Sequence, residues 1–226
     1  MAERFKLSCV LFDLDGTLVD TSQDLITALN FALNTHGHAT VQGDAIKPYI
    51  SFGAPTMIQH SLQISISAEQ QLQIQATLLN YYVEHIACSS QLYPGMATTL
   101  ATIEQIGLKW GVITNKKQRF TLPLMHALNL SQRSACIISG DSTQFSKPHA
   151  MPMLAGCTAA GVAAEECVYI GDASHDIAAG RGVHMKTLAA TYGFLHASDM
   201  PETWGADALV ASPAEITDWI NTTLCH

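Results

Sequence analysis

Apolar positions along this chain follow two rhythms, and the change between them divides it. Leu7–Phe12 is a short, nearly continuous apolar run, as in a strand covered on both faces. The spacing then becomes helical. Thr21 or Ser22 is placed to cap a helix with Leu25, Ile26, Leu29 and Leu33 on one face. Ser67 and Gln70 form a capping-box pattern that opens a long helix through Leu72, Leu78, Leu79 and Val83. No strand-like run occurs from the first helix to about residue 90. After Tyr93-Pro94-Gly95 the pattern changes, and strand-like runs at Lys109–Thr114, Ala135–Ser139, Cys167–Ile170, Thr187–Ala190 and Ala208–Val210 alternate with helical stretches, the last about Ser212–Asn221. Such alternation predicts a parallel sheet with helices on both faces. Leu7–Phe12 needs a place in that sheet too. The reading is therefore an α/β core built from residues 1–16 and 93–226, with an all-helical segment, 17–92, inserted into it. Gln59, Gln63, Gln70, Gln71, Gln73 and Gln75 are expected at the surface of the insert.

Composition narrows the function classes. The 226 residues are 48% hydrophobic and only 13% charged, as in a compact globular chain. The formal net charge is −8 and there is no basic run, which argues against nucleic acid as a partner. No apolar stretch approaches about 18 residues, so no membrane partner is expected. The N-terminus carries charges where a signal peptide needs an apolar region, and the expected location is cytoplasmic. Cys9, Cys88, Cys136, Cys157, Cys167 and Cys225 show no paired spacing and read as reduced, mostly packing residues.

Ligands of open α/β sheets bind beyond the carboxyl ends of the strands. The residues just past each strand are therefore informative. Asp13 and Asp15 come after the first. Thr114 and Asn115 come after Lys109–Ile113. Lys147 lies in the loop after Ala135–Ser139. Gly171, Asp172 and Asp176 come after Cys167–Ile170. Four acids, one hydroxyl, one amide and one lysine thus map to one edge. Two like charges about 4 Å apart repel by roughly 4 kcal/mol at an effective dielectric of 20. The acids need cations: Lys147 is one, and a hard divalent ion such as Mg²⁺ suits the rest. Asp13 then reads as nucleophile or metal ligand, and Asp15 as acid and base. Four fixed positions such as DxDGT arise by chance in roughly one chain in 700 of this length.

Other residues have plainer readings. Asp20 reads as a turn former or helix cap, and Asp24 as a first-turn helix acid. His36-Gly37-His38 reads as a polar turn, and Trp110 and Trp204 as packing or rim residues. His175, between Asp172 and Asp176, reads as a loop histidine near the site. Phe52 and Gly53 are expected in a loop of the insert that faces the substrate. Lys47 is the only Lys or Arg between Thr21 and Ser90, so a carboxylate on the leaving group would meet Lys116, Lys117 or Arg119 instead.

The ordered set FDLDGT (12–17), ITN (113–115), KP (147–148) and GDASHD (171–176) resembles motifs I to IV of the haloacid dehalogenase superfamily. The resemblance covers the whole chain and implies a Rossmann-like core with an inserted helical C1 cap. It implies that Asp13 attacks phosphorus to form an aspartyl-phosphate and that Asp15 serves as acid and then base. Thr114 and the backbone near Asn115 would hold phosphate oxygens, and Lys147 would neutralise Asp13 and the transferring group. Mg²⁺ would be held by the Asp13 carboxylate, the Asp15 backbone carbonyl and Asp172, with Asp176 in support. Ala173 and His175 depart from the residues relatives often carry there. Within the superfamily the chain resembles phosphoglycolate-phosphatase-like enzymes. WGVITNK (110–116) with Arg119-Phe120, and YGFLHASDMPETWGAD (192–207), resemble the bacterial N-acetylmuramic acid 6-phosphate phosphatases within that group. The implied partner is a small phosphomonoester, and the implied assembly a monomer or homodimer. A dehalogenase of this fold would lack Asp15, and a binding protein with a dead site would lack Asp13 or Lys147. An isomerase of the β-phosphoglucomutase type shares both acids and the cap, and remains open.

Overall fold

In a computed structural model, residues 5–62 and 64–225 are described; Gln63, expected at the surface, lies outside them. The strands are β1 Cys9–Phe12, β2 Val19–Asp20, β3 Gln91–Leu92, β4 Lys109–Ile113, β5 Ile137–Ile138, β6 Cys167–Gly171, β7 Lys186–Ala190 and β8 Ala208–Val210. The α-helices are α1 Ser22–Thr35, α2 Gly43–Ile46, α3 Ala54–Ser61, α4 Ala68–Glu84, α5 Met96–Gln105, α6 Gln118–Ala127, α7 Ala150–Ala160, α8 Ser174–Arg181 and α9 Pro213–Cys225. Six strands form one parallel sheet in the order β5-β4-β1-β6-β7-β8, as the alternation of elements requires.

The sheet is buried on both faces, which explains the unbroken apolar strands. Side chains alternate across it. Val10 and Phe12 of β1, Trp110 and Val112 of β4, and Val168 and Ile170 of β6 join the larger core with α5, α6, α9 and the helices of the insert. Cys9, Leu11, Ile113, Cys167 and Tyr169 face a second core beneath α7 and α8. All six cysteines are free, and the four buried ones, Cys9, Cys136, Cys157 and Cys167, pack in this second core. Trp110 is buried, with Nε1 donating to Glu104 at 2.8 Å, and Trp204 is half-buried.

Helices α1 to α4 leave the sheet between two strands that lie side by side, β1 and β4. Leu25, Ile26, Leu29 and Leu33 form the buried face of α1, and Ser67 and Gln70 close their capping box at the start of α4. Four expectations need correction. The segment is not purely helical, because β2 and β3 pair antiparallel at its two ends. Neither Thr21 nor Ser22 caps α1: the Thr21 hydroxyl donates to Asp15, and Ser22 donates to Asp20 through both its backbone N–H and its hydroxyl. The buried stripe of α4 is Ile74, Leu78 and Tyr82, while Leu72 and Val83 are exposed. Strand β5 is shorter than the expected Ala135–Ser139 and keeps only Ile137–Ile138. Asp20 covers the start of α1 as expected, and His36-Gly37-His38 turns out of its end.

Asp24 does more than a first-turn acid would. It is buried, and its carboxylate accepts from the backbone N–H groups of Ser89 and Ser90 at 2.8 and 2.9 Å and from the Ser90 hydroxyl at 2.6 Å. It ties the start of the helical segment to its end. Asp24→Ala leaves these donors without a partner, and the expected loss of stability is about 2–3 kcal/mol, measured by urea unfolding. A loss within experimental error of zero would show that water replaces the carboxylate.

Candidate active site

The strand register assembles the site. Phe12 pairs with Val112 on one side and Ile170 on the other. Asp13 therefore emerges beside Thr114 and Asp172, at the carboxyl end of the three central strands. The Asp13 N–H donates to the Ile170 carbonyl at 2.8 Å, which holds the first acid against β6. Gly16 turns the chain away with φ +84°, and a Cβ there would collide with Asp172 Oδ2. Only glycine meets both conditions.

Lys147 sits at the centre. Its Nζ lies 2.8 Å from Asp13 Oδ1, 2.7 Å from Asp176 Oδ1, 2.8 Å from the Tyr169 hydroxyl and 3.1 Å from the Ile113 carbonyl. Tyr169 in turn donates to the Ile113 carbonyl at 2.6 Å. Burial works against the charge of Lys147, but Asp13 and Asp176 outweigh it and hold its pKa above the ordinary value. Asn115 fixes the lysine's backbone: its Oδ1 accepts from Lys147 N at 2.9 Å and its Nδ2 donates to Lys147 O at 3.2 Å. The Asn115 side chain is thus committed to Lys147. The Thr114 hydroxyl, buried, accepts from Lys116 N at 3.2 Å.

Asp13, Asp172 and Asp176 bring carboxylate oxygens within 4.8 Å of one another. Asp176 uses both oxygens inside the protein, one on Lys147 and one on the Ala173 N–H at 3.1 Å. Asp172 accepts from Thr17 at 2.9 Å, from the Phe194 N–H at 2.9 Å and, more distantly, from Ser51 at 3.4 Å. Asp13 Oδ2 has no donor among the described residues and is the free oxygen of the cluster. Burial raises Asp13 above the ordinary carboxylate range, with Lys147 opposing it. Burial, and then the charges of Asp13 and Asp176, push Asp172 up to about 8. One ammonium does not balance three carboxylates. Hard oxygen donors with an uncompensated negative charge fit a divalent cation such as Mg²⁺.

Asp15 stands apart from this cluster. Its Oδ1 accepts from Thr21 at 2.6 Å, and both oxygens meet Lys116 Nζ, at 2.9 and 3.2 Å. Lys116 is buried here, so it is not the free cation that its position in the chain suggested. Its ammonium also lies 4.6 Å from the centre of the Tyr82 ring, whose hydroxyl is buried with no hydrogen-bond partner among the described residues. Asp13, Asp15 and Thr114 open into a cavity of about 390 Å³. Leu25, Ile50, Met57 and Leu79 give it an apolar wall, and Phe52 and Gly53 line it as expected. Gln75 also faces it, rather than bulk solvent alone. His175 is the second residue of α8 rather than a loop histidine, and it lines the cavity too, with Nε2 3.8 Å from Asp176 Oδ1.

Residues 10–190 match the family of haloacid dehalogenase-like hydrolases. The chain belongs to that family. It is 37% identical to the N-acetylmuramic acid 6-phosphate phosphatase of Pseudomonas aeruginosa, over 99% of each chain. It is 34% identical to the phosphoglycolate phosphatase of Xanthomonas campestris pv. campestris, over 92% of this chain and 93% of the relative. In fold it is similar to a crystal structure of a predicted phosphoglycolate phosphatase from Haemophilus somnus, with TM-score 0.85 and 24% identity over 97% of this chain and all of the other. A haloacid dehalogenase-like protein from Streptococcus pneumoniae has TM-score 0.82 and 21% identity over 95% and 98% of the two chains. The activity class of this haloacid dehalogenase-like hydrolase is that of a phosphoric monoester hydrolase.

Asp13, Thr114, Asn115, Lys147, Asp172 and Asp176 converge in this haloacid dehalogenase-like hydrolase, and Asp15 sits beside them on its own partners. Sequence reasoning missed Thr17, Thr21, Ser51 and Tyr169 as their hydrogen-bond partners. Thr17 was within reach, since it is the last residue of the DxDGT pattern. Tyr169 reads as one more buried strand residue, and nothing local marks it. Lys147→Met leaves Asp13 and Asp176 without their ammonium. In metal-free buffer the expected loss is about 3–5 kcal/mol by denaturant unfolding, as for a buried pair that loses one partner. Unchanged stability would mean that the two acids already share a proton.

Proposed function

We propose that the protein is a Mg²⁺-dependent phosphatase for a small phosphorylated metabolite, with N-acetylmuramic acid 6-phosphate as favoured substrate. The observation that carries this reading is the free Asp13 Oδ2 at the floor of the cavity, with Lys147 on the other oxygen of the same carboxylate. Asp13 attacks phosphorus while Asp15 gives a proton to the departing ester oxygen, which leaves as an alcohol. Asp15 then takes a proton from water, the hydroxide attacks the aspartyl-phosphate, and inorganic phosphate departs with Asp13 restored. The Thr114 hydroxyl and the backbone near Asn115 hold phosphate oxygens. Lys147, saturated by its own partners, keeps Asp13 charged and aimed. Mg²⁺ held by Asp13, the Asp15 carbonyl and Asp172, with Asp176 in support, would supply positive charge to the phosphate. Residues 17–92 act as a cap over a core of 1–16 and 93–226, excluding water and selecting the leaving group. The four free thiols in the core fit a reducing cytoplasm.

Cavity size favours the sugar. About 390 Å³ lies within the range of roughly 300–1,000 Å³ for small-molecule sites, with room for a sugar phosphate, whereas a two-carbon ester leaves much of it to water. The relative of P. aeruginosa supports the sugar phosphate, and that of X. campestris keeps 2-phosphoglycolate as the second reading. An isomerase of the β-phosphoglucomutase type would consume a sugar phosphate without releasing phosphate.

Asp13→Asn is expected to abolish phosphate release while the circular dichroism spectrum stays unchanged; a folded variant with wild-type turnover removes the nucleophile. EDTA is expected to stop the reaction and Mg²⁺ to restore it, and full activity in metal-free buffer refutes the cofactor. Assayed side by side with Mg²⁺, N-acetylmuramic acid 6-phosphate is expected to exceed 2-phosphoglycolate in kcat/KM by about 100-fold, equivalent to about 2.7 kcal/mol of transition-state discrimination. The reverse order would make the protein a phosphoglycolate phosphatase.

A further inference from the structure

The cations around the cavity are few, and nearly all are committed. Lys147 is enclosed by Asp13, Asp176, Tyr169 and Ile113. Lys116 is buried against Asp15. Lys47 meets Asp20 at 3.3 Å and lies over the Phe194 ring, outside the cavity lining. Arg119 lies over the Phe120 ring, its guanidinium carbon 4.5 Å from the ring centre, and does not line the cavity either. Lys117 differs from all of these. It lines the cavity, its side chain is exposed, and among the described residues no carboxylate lies within 4.0 Å of it. Lys117 is exposed whereas Asp13 and Thr114, which line the same cavity, are buried, which places the lysine nearer the rim than the nucleophile.

We propose that Lys117 is a specificity residue that binds a carboxylate on the leaving group of the phosphomonoester. The inference rests on the phosphatase reading and adds a substrate class to it: a phosphate ester whose leaving group carries an anionic arm. The opposite wall, with Leu25, Ile50, Phe52, Met57 and Leu79, offers apolar surface and no cation. Of the two lysines that line the cavity, Lys117 is the one not already paired with a carboxylate among the described residues, and it is the one left to meet a carboxylate on the leaving group. An exposed lysine contributes by charge complementarity at the rim, and its effect falls on substrate choice rather than on the chemical step.

The test uses two esters of the same sugar, N-acetylmuramic acid 6-phosphate and N-acetylglucosamine 6-phosphate, which differ by the lactyl ether that carries the carboxylate. Wild type is expected to prefer the first. Lys117→Met is expected to lower its kcat/KM by about 10-fold or more, through KM with kcat little changed. The same variant should leave the second ester within about 2-fold, and Lys117→Arg should retain most of the preference. An equal loss on both esters would assign Lys117 to the phosphate and overturn the proposal, as would a wild type with no preference. Calorimetric titration of both esters into Asp13→Asn protein, with and without Lys117→Met, separates the two readings. A preference for the acidic ester that Lys117→Met removes supports the subsite even if wild type hydrolyses neither, an outcome that would refute N-acetylmuramic acid 6-phosphate as the substrate. Equal binding of the two esters refutes the subsite whatever the turnover.

Discussion

Buried negative charge is the constraint that organises this molecule. Asp13, Asp172 and Asp176 meet at the carboxyl ends of β1 and β6, where the sheet is covered on both faces and water is scarce. Unpaired carboxylates there would neutralise or unfold the site. Lys147 answers the problem, and much of the neighbourhood exists to hold Lys147. Asn115 brackets its backbone, and Gly140 leaves room for Asn115, whose carbonyl oxygen any Cβ at that position would strike. Tyr169 fills the last side of the ammonium. Gly193, like Gly16, gives Asp172 space that any side chain would take. The residual negative charge is what suits the site to the divalent cation proposed for it.

Legibility in the sequence depended on which forces act locally. β1, β4 and β6 are central and covered on both sides, so their apolar runs stand out. Each is succeeded at once by a residue of the site, which is why Asp13, Thr114 and Asp172 could be found by position alone. β5 lies at the sheet edge, pairs only through Ile137 and Ile138, and left a weaker boundary. β2 and β3 are two residues each, and their pairing joins positions some 70 residues apart, beyond any local rhythm. The same holds for side chains. Asp24 meets Ser89 and Ser90 across |i−j| of 65 and 66, and Asp15 meets Lys116 across 101. Residue type announced that Asp24, Asp15 and Lys116 were charged; it could not announce whom they would meet. On α4 the stripe Ile74, Leu78 and Tyr82 competed with Leu72 and Val83 in a helix apolar on more than one side, and contact with α1 and α3 decided it.

Asp15 and the helical segment are mechanically related. Thr21, one residue ahead of α1, donates to Asp15, and Tyr82 of α4 presents its ring to the ammonium that holds Asp15 from the other side. The two chain crossings between sheet and helices run through β2 and β3, which are hydrogen-bonded to each other, and Asp24 pins the exit at Ser89 and Ser90 to the entry. The helices therefore cannot shift at one crossing alone. A displacement that moves Thr21 also moves the partners of Asp15, whereas Asp13 stays fixed to β6 through its backbone N–H. The first acid is anchored in the sheet and the second is anchored to the boundary of the insert. Two carboxylates separated by a single residue thus receive different mechanical environments, and that difference suits the first to the fixed nucleophile proposed above and the second to an acid and base that answers to what the cavity contains.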